Sequence, residues 1–258
     1  MIQLPSCKIV GVFGPVASGK TYLITKWAEL QKRVVIFDAT GEFIDTEGYT
    51  SYFRNARATW QHMKSQPWYF RIVYEPGRDL NYDFMWILSC MWHTPSDKQF
   101  FVDEFHTICP VSAINQDVET MLRFARHDKL GFCGVSQRIA DVHKLFTASC
   151  RMVVLFHTSE ARDLVAISDR WGSDVEQTVL HLRPLIHDDV TGVTSQVPQC
   201  VVIERGQRAK VFDFETDSYI KTVGGHDVRL PQTENPLYEQ TKETQETETP
   251  DAINDRPE

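Results

Sequence analysis

The chain has 258 residues, 42% of them hydrophobic and 24% charged, which excludes a disordered, collagenous or coiled-coil chain and leaves ample length for a buried core. No apolar run reaches the roughly 20 residues of a membrane span, and the first five residues lack the basic and apolar regions of a secretory signal. The net charge of −8 is concentrated in residues 227–258, which hold nine acidic and three basic side chains, so the rest is nearly neutral and nothing global advertises nucleic-acid binding.

Short apolar runs alternate with helix-length segments, the rhythm of an α/β domain whose mostly parallel central sheet is flanked by helices. The first strand, at 8–13, runs into Gly14-Pro15-Val16-Ala17-Ser18-Gly19-Lys20-Thr21, which fits G-x-x-x-x-G-K-[ST]. Glycines let successive backbone N–H groups turn inward around a β-phosphate, and the helix expected at 20–31 adds its positive N-terminal end. Lys20 then reaches the β- and γ-phosphates, and the Thr21 hydroxyl is placed for Mg²⁺. No guanine-specifying N-K-x-D occurs, which favours ATP over GTP.

A second strand is expected at 33–38. Residues 46–68 fit the rhythm poorly and read as a helical, aromatic insertion, with Trp60 and Trp68 bracketing Arg54, Arg57 and Lys64; aromatics interleaved with positive charge can stack bases and bind phosphates. Strand 69–74 and helix 82–92 follow. The strand at 99–103 ends in Asp103-Glu104. Asp103 is placed to hold a water of a Mg²⁺ shell, and Glu104 to orient or deprotonate an attacking water. A glutamate directly after that aspartate indicates the RecA-like, additional-strand, catalytic-Glu class of P-loop NTPases.

Beyond it lie a helix at 118–127, a strand at 131–136, a helix at 139–146, a strand at 151–157 and a helix at 160–168. The runs 200–204 and 209–212, split by Arg205-Gly206-Gln207-Arg208, read as a late hairpin. The domain is expected to span residues 1–226. Residues 227–258, almost without periodic apolar positions, read as an acidic, disordered tail. The six cysteines show no C-x-x-C pair and several fall inside apolar segments, the usage of buried free thiols in a reducing compartment. His181, His187, Asp188 and Asp189 read as a polar loop rather than a metal site.

Several of these motifs resemble the FtsK–HerA superfamily of DNA-pumping ATPases. Asp38-Ala39-Thr40-Gly41-Glu42-Phe43 is similar to its D-x-x-G-E-[FY]. Arg123-Phe124-Ala125-Arg126-His127, then 131–135, then Ser136-Gln137-Arg138 and Asp141, is similar to its R-x-x-R-K, apolar strand and S-Q-R-P-x-D run, with Ile139 in place of the proline. The resemblance covers residues 8–212. A motor of this size, without the N-terminal barrel or the membrane and DNA-reading domains of other branches, resembles the genome-packaging ATPases of membrane-containing icosahedral viruses.

The resemblance implies ATP and Mg²⁺ as cofactors, Gln137 as the sensor of the γ-phosphate or attacking water, and Arg126 as an arginine finger reaching a neighbouring subunit, with Arg123 as the rival. It implies a hexameric ring translocating double-stranded DNA, with a capsid-vertex or viral membrane protein as a further partner, in the host cytoplasm or at the virion's packaging vertex. Candidate DNA contacts are Arg205, Arg208 and Lys210 on the late hairpin and Arg54 and Arg57 in the insertion. Two other readings stay open: a phage assembly or secretion ATPase of the zonula-occludens-toxin-like type, and a nucleotide-binding scaffold that does not translocate.

Overall fold

A computed structural model describes residues 1–43, 51–125, 128–188 and 193–224. The tail at 227–258, Arg126 and residues 46–50 of the expected insertion lie outside the described residues.

The chain opens with β1 (Ile9–Phe13), α1 (Lys20–Glu29) and β2 (Arg33–Phe37), then β3 (Ser51–Phe53), α2 (Ala56–Ser65) and β4 (Phe70–Tyr74). Next come α3 (Leu80–Trp92), β5 (Lys98–Val102), α4 (Gln116–Phe124) and β6 (Leu130–Ser136). They are followed by α5 (Lys144–Ser149), β7 (Met152–Phe156), α6 (Ala161–Trp171) and α7 (Ser173–Leu180). A small hairpin of β8 (Ile186–Asp188) and β9 (Val193–Gln196) precedes the closing β10 (Gln199–Glu204), β11 (Lys210–Asp213) and β12 (Ser218–Thr222).

Ten strands form one sheet in the order β12-β11-β10-β7-β1-β6-β5-β2-β4-β3. Every neighbouring pair from β7 to β3 is parallel, whereas β10, β11 and β12 form an antiparallel meander on β7. The central strands are buried throughout their length, as parallel strands covered on both faces must be. Alternate residues serve the two faces. Ile9 and Phe13 pack in the core shared with α2 to α7, while Val10 and Val12 pack with Leu23, Ile24 and Trp27 of α1.

The core on the α2–α7 face is aromatic. Phe132 meets Phe84, Phe100, Phe105 and Phe146 at ring-centroid distances of 5.1–6.5 Å, mostly edge-to-face. Gly134 makes this packing possible: a Cβ there would come within 2.7 Å of both the Phe105 and Phe146 rings.

The structure departs from the expected elements in four places. The described part of 46–68 is not an insertion outside the sheet, since β3 pairs with β4 at the edge and α2 follows; a strand of three residues is too short to leave an alternating pattern. The helix expected at 139–146 is a 3₁₀ turn at Ile139–Asp141 followed by α5. There the buried Asp163 accepts Ala140 N–H at 3.0 Å, and His143 Nδ1 caps α5 by accepting Leu145 N–H at 3.2 Å. The helix expected at 160–168 runs on to Trp171, and α7 starts after Gly172, whose φ of 93° breaks the two apart. The strands β8, β9 and β12 were not expected.

The six cysteines are free, five of them buried, and no helix among the described residues is long and apolar enough to cross a membrane. Emptying the centre of the aromatic core with Phe132→Ala is expected to cost about 3–5 kcal/mol of stability, read as a lowered urea midpoint at an unchanged m-value.

Candidate nucleotide site

Parallel strands present their C-terminal ends on one edge, and the register brings four motifs to that edge. Phe13 of β1 is level with Ser136 of β6, Val102 of β5 with Gly134, and Phe37 of β2 with Val102. The residues that follow these strands therefore converge: the loop from Gly14, the pair Asp103-Glu104, Gln137, and the turn from Asp38. Residues 16–21, Glu42, Asp103, Glu104 and Gln137 line one open cavity of about 170 Å³, together with Tyr22 and Leu185.

The 14–21 loop takes the shape its sequence calls for. Gly19 sits at φ 102° as the N-cap of α1, with no side-chain cap, so the first N–H groups of the helix are free of intrahelical partners, as an anion site needs. Gly14 is needed for close packing, because a Cβ there would lie 2.6 Å from Cβ of Phe156 and 2.7 Å from Ser18 Oγ. Lys20 is buried and donates to the Pro15 carbonyl at 2.7 Å. Burial lowers its pKa, against the pull of Asp103, Glu104 and Glu42.

The two acidic residues after β5 have different environments. Burial pushes Asp103 up to about 6, although a 2.8 Å hydrogen bond from Thr40 Oγ1 works the other way. Burial also acts to raise Glu104, but the close contact of His106, the hydrogen bond from Gln137 and the charges of His106 and Lys20 outweigh it and hold the carboxyl below its usual value. Gln137 Nε2 donates to Glu104 Oε1. His106 Nδ1 stands 3.1 Å from Glu104 Oε2, an ion-pair contact, for Oε2 is buried without an aligned hydrogen bond. The Glu104 backbone is itself unusual, with φ 47° and ψ 43°, a left-handed conformation that a non-glycine residue adopts at a cost.

Four residues at the site carry roles that the sequence did not assign. Glu42 accepts from Thr21 Oγ1 at 2.8 Å. Thr40, in the same turn, ties down Asp103. The turn is held by Asp38, fully buried, whose carboxylate accepts the N–H groups of Gly41, Glu42 and Phe43 at 2.8, 3.1 and 3.0 Å. The motif 38–43 was visible as a string, but only folding shows that its members brace both Thr21 and Asp103. His106 is the fourth; nothing in the string distinguishes it from a surface histidine.

The donor set suits a hard divalent cation completed by nucleotide phosphates: a hydroxyl, carboxylates and no soft ligand. Among the described residues no group of three or more His, Cys, Asp or Glu side chains could hold a metal by itself, which fits a cation that arrives with phosphate. Ser18 Oγ and Glu104 Oε2, both buried and without hydrogen-bond partners, are the polar atoms such a ligand would satisfy.

The expected DNA contacts are not brought onto one surface. β10 runs antiparallel to β7, with Glu204 beside Met152, so the turn bearing Arg205 and Arg208 lies on the edge of the sheet opposite the cavity. Arg205 is engaged locally, its Nη2 donating to the Ala148 carbonyl at 2.6 Å, and Lys210 lies over the Tyr219 ring at 5.4 Å. Arg54 and Arg57 follow β3 at the far end of the sheet; Arg54 pairs with Glu75 at 2.7 Å, while Arg57 is exposed. Arg123, on α4, pairs with Glu119.

No protein-family model and no curated protein matches the sequence. Solved structures do match in fold. The genome packaging NTPase B204 of Sulfolobus turreted icosahedral virus 2, in complex with ATP-gammaS, aligns with a TM-score of 0.56 and 19% identity over 75% of this chain and 98% of that one. Its complex with AMPPCP aligns at 0.60 and 16%, over 83% and 95%. B204 of Sulfolobus turreted icosahedral virus, described as a DNA-packaging ATPase, aligns at 0.60 and 16%, over 86% and 100%. The chain thus shares the α/β fold of these B204 structures.

Removing the carboxylate that braces the 38–43 turn tests the site's construction. Asp38→Ala strands three backbone donors and is expected to cost about 1–3 kcal/mol. It should also weaken nucleotide binding through Thr40 and Glu42, read by thermal melting with and without ATP.

Proposed function

We propose that this protein is an ATP-hydrolysing ring motor that translocates double-stranded DNA and packages a viral genome into its capsid. The observation that carries the reading is the meeting, in one cavity, of Lys20 and Thr21 with Asp103, Glu104 and Gln137. These are the parts a hydrolytic P-loop enzyme requires, delivered by three different strands. The likeness in fold to B204, a DNA-packaging ATPase, supports the packaging step.

In this reading the backbone of Gly14 to Gly19 cradles the phosphates, and Lys20 leaves the Pro15 carbonyl for the β- and γ-phosphates. Mg²⁺, held by Thr21 and through water by Asp103, supplies neutralisation of charge developing on the phosphates. Glu104, kept ionised at neutral pH by His106, Gln137 and Lys20, accepts a proton from the attacking water or orients it. Gln137 can exchange its bond to Glu104 for one to the γ-phosphate, which links nucleotide state to the end of β6.

Arg126 serves as the finger from a neighbouring subunit, which makes the active unit a ring, a hexamer as the resemblance of the sequence motifs implies. Residues 1–226 form the ATPase domain and 227–258 an acidic tail. A ring can multiply a few basic positions into a positive channel even though each subunit is acidic. Contacts to the DNA backbone make the motor indifferent to sequence.

Lys20→Ala is expected to abolish nucleotide binding. Glu104→Gln should keep ATP affinity and lose turnover by roughly 10²- to 10⁴-fold; both are read by equilibrium binding and phosphate release, and sustained turnover would move the base elsewhere. Arg126→Ala subunits should regain hydrolysis when mixed into rings with Lys20→Ala subunits that carry an intact finger. Wild-type protein should displace a third strand from a DNA triplex in an ATP-dependent way, and Glu104→Gln should not.

A further inference from the structure

Both side chains that engage the Glu104 carboxylate trace back to the end of β6. Gln137, the residue after that strand, addresses Oε1 directly. His106 addresses Oε2, and the same Nδ1 lies 3.3 Å from Ser136 Oγ, the last residue of β6. Ser136 is itself fixed, since its hydroxyl is within 3.1 Å of the Arg138 carbonyl, which it donates to, and accepts from Arg138 N–H at 3.3 Å.

His106 has no freedom to choose another place. It sits in the 3₁₀ turn Phe105–Thr107, which the fully buried Phe105 anchors in the aromatic core. Thr107 closes that turn onto the Glu104 carbonyl twice, by N–H at 2.9 Å and by Oγ1 at 2.8 Å. The left-handed backbone at Glu104 makes the chain reverse so sharply that residue 106 comes back beside the side chain of residue 104.

We infer that His106 is a positioning residue for Glu104. It anchors the carboxylate through the buried Oε2, so that the remaining lone pairs meet the attacking water while Gln137 engages the γ-phosphate. This inference rests on the hydrolytic reading above. When Gln137 turns to the phosphate, Oε1 loses its donor, and His106 is the contact that keeps the carboxylate from rotating away. The role is orientation: His106 touches neither nucleotide nor water, and ATP affinity does not depend on it.

The test compares wild type, His106→Ala, His106→Asn and Ser136→Ala in steady-state hydrolysis, ATP binding and thermal melting. The Asn side-chain amide can put a donor where Nδ1 stands. The expected result is a fall in kcat of roughly 10- to 100-fold for His106→Ala, the range for loss of an orienting partner. KM, ATP affinity and melting temperature should be little changed. His106→Asn should recover much of kcat, and Ser136→Ala should show a smaller fall of the same kind. An unchanged or raised kcat in His106→Ala would overturn the inference while leaving the hydrolytic reading intact. So would a loss that follows melting temperature and that Asn does not rescue. A wild-type protein that binds ATP but never hydrolyses it would defeat both.

Discussion

Lys20 lies out of water together with the carboxylates of Asp103 and Glu104 at one edge of a parallel sheet, and much of the architecture can be understood from what that burial requires. A buried charge is costly unless neighbours compensate it. Here the compensation is uneven by design of the fold. Glu104 receives a hydrogen bond from Gln137, an ion-pair contact from His106 and the influence of Lys20, and stays ionised. Asp103 receives one hydroxyl, and burial raises its pKa to about 6. A site that is short of positive charge beside Asp103 and Glu42 is one that a divalent cation arriving with phosphates would complete.

Sheet order brings these groups together. Because β1 lies between β6 and β7, and β5 is next to β6, the phosphate-binding loop comes to rest beside residues about a hundred positions away in the chain. The parallel register then sets Asp38 level with Asp103, and Gln137, two residues further along, level with Gly14. Packing below the edge holds that height. Phe105, the residue after Glu104, is locked against Phe132 and Phe146 with Gly134 making room, so the strained backbone at Glu104 is sustained by the core and not by the site itself. This is how an apolar cluster far from any phosphate supports the geometry of a carboxylate.

The loop at 14–21 was legible because its pattern is local: its eight residues are consecutive and both flanking elements are strongly patterned. The central strands were legible for the same reason, being uninterrupted apolar runs. The edges were not. β3 has three residues and β12 is exposed along its length, so neither carries a pattern. The break at Ile139–Asp141 depends on Asp163, a partner from a different helix. Glu42 and His106 escaped assignment because their meaning lies in what they touch across space, Thr21 for one and Glu104 with Ser136 for the other. The basic residues of the late hairpin and of 54–57 are the converse, for the sheet sends Arg205 and Arg54 to different edges, a separation that no local pattern records.

The central claim is that ATP turnover at this cavity is coupled to double-stranded DNA. It is tested most directly by steady-state ATP hydrolysis with and without duplex DNA, at low and at high salt. The account predicts stimulation by DNA of any sequence that fades as salt rises, because backbone contacts release counterions. Robust hydrolysis that is indifferent to DNA at every salt concentration would contradict the coupling and leave only an ATPase.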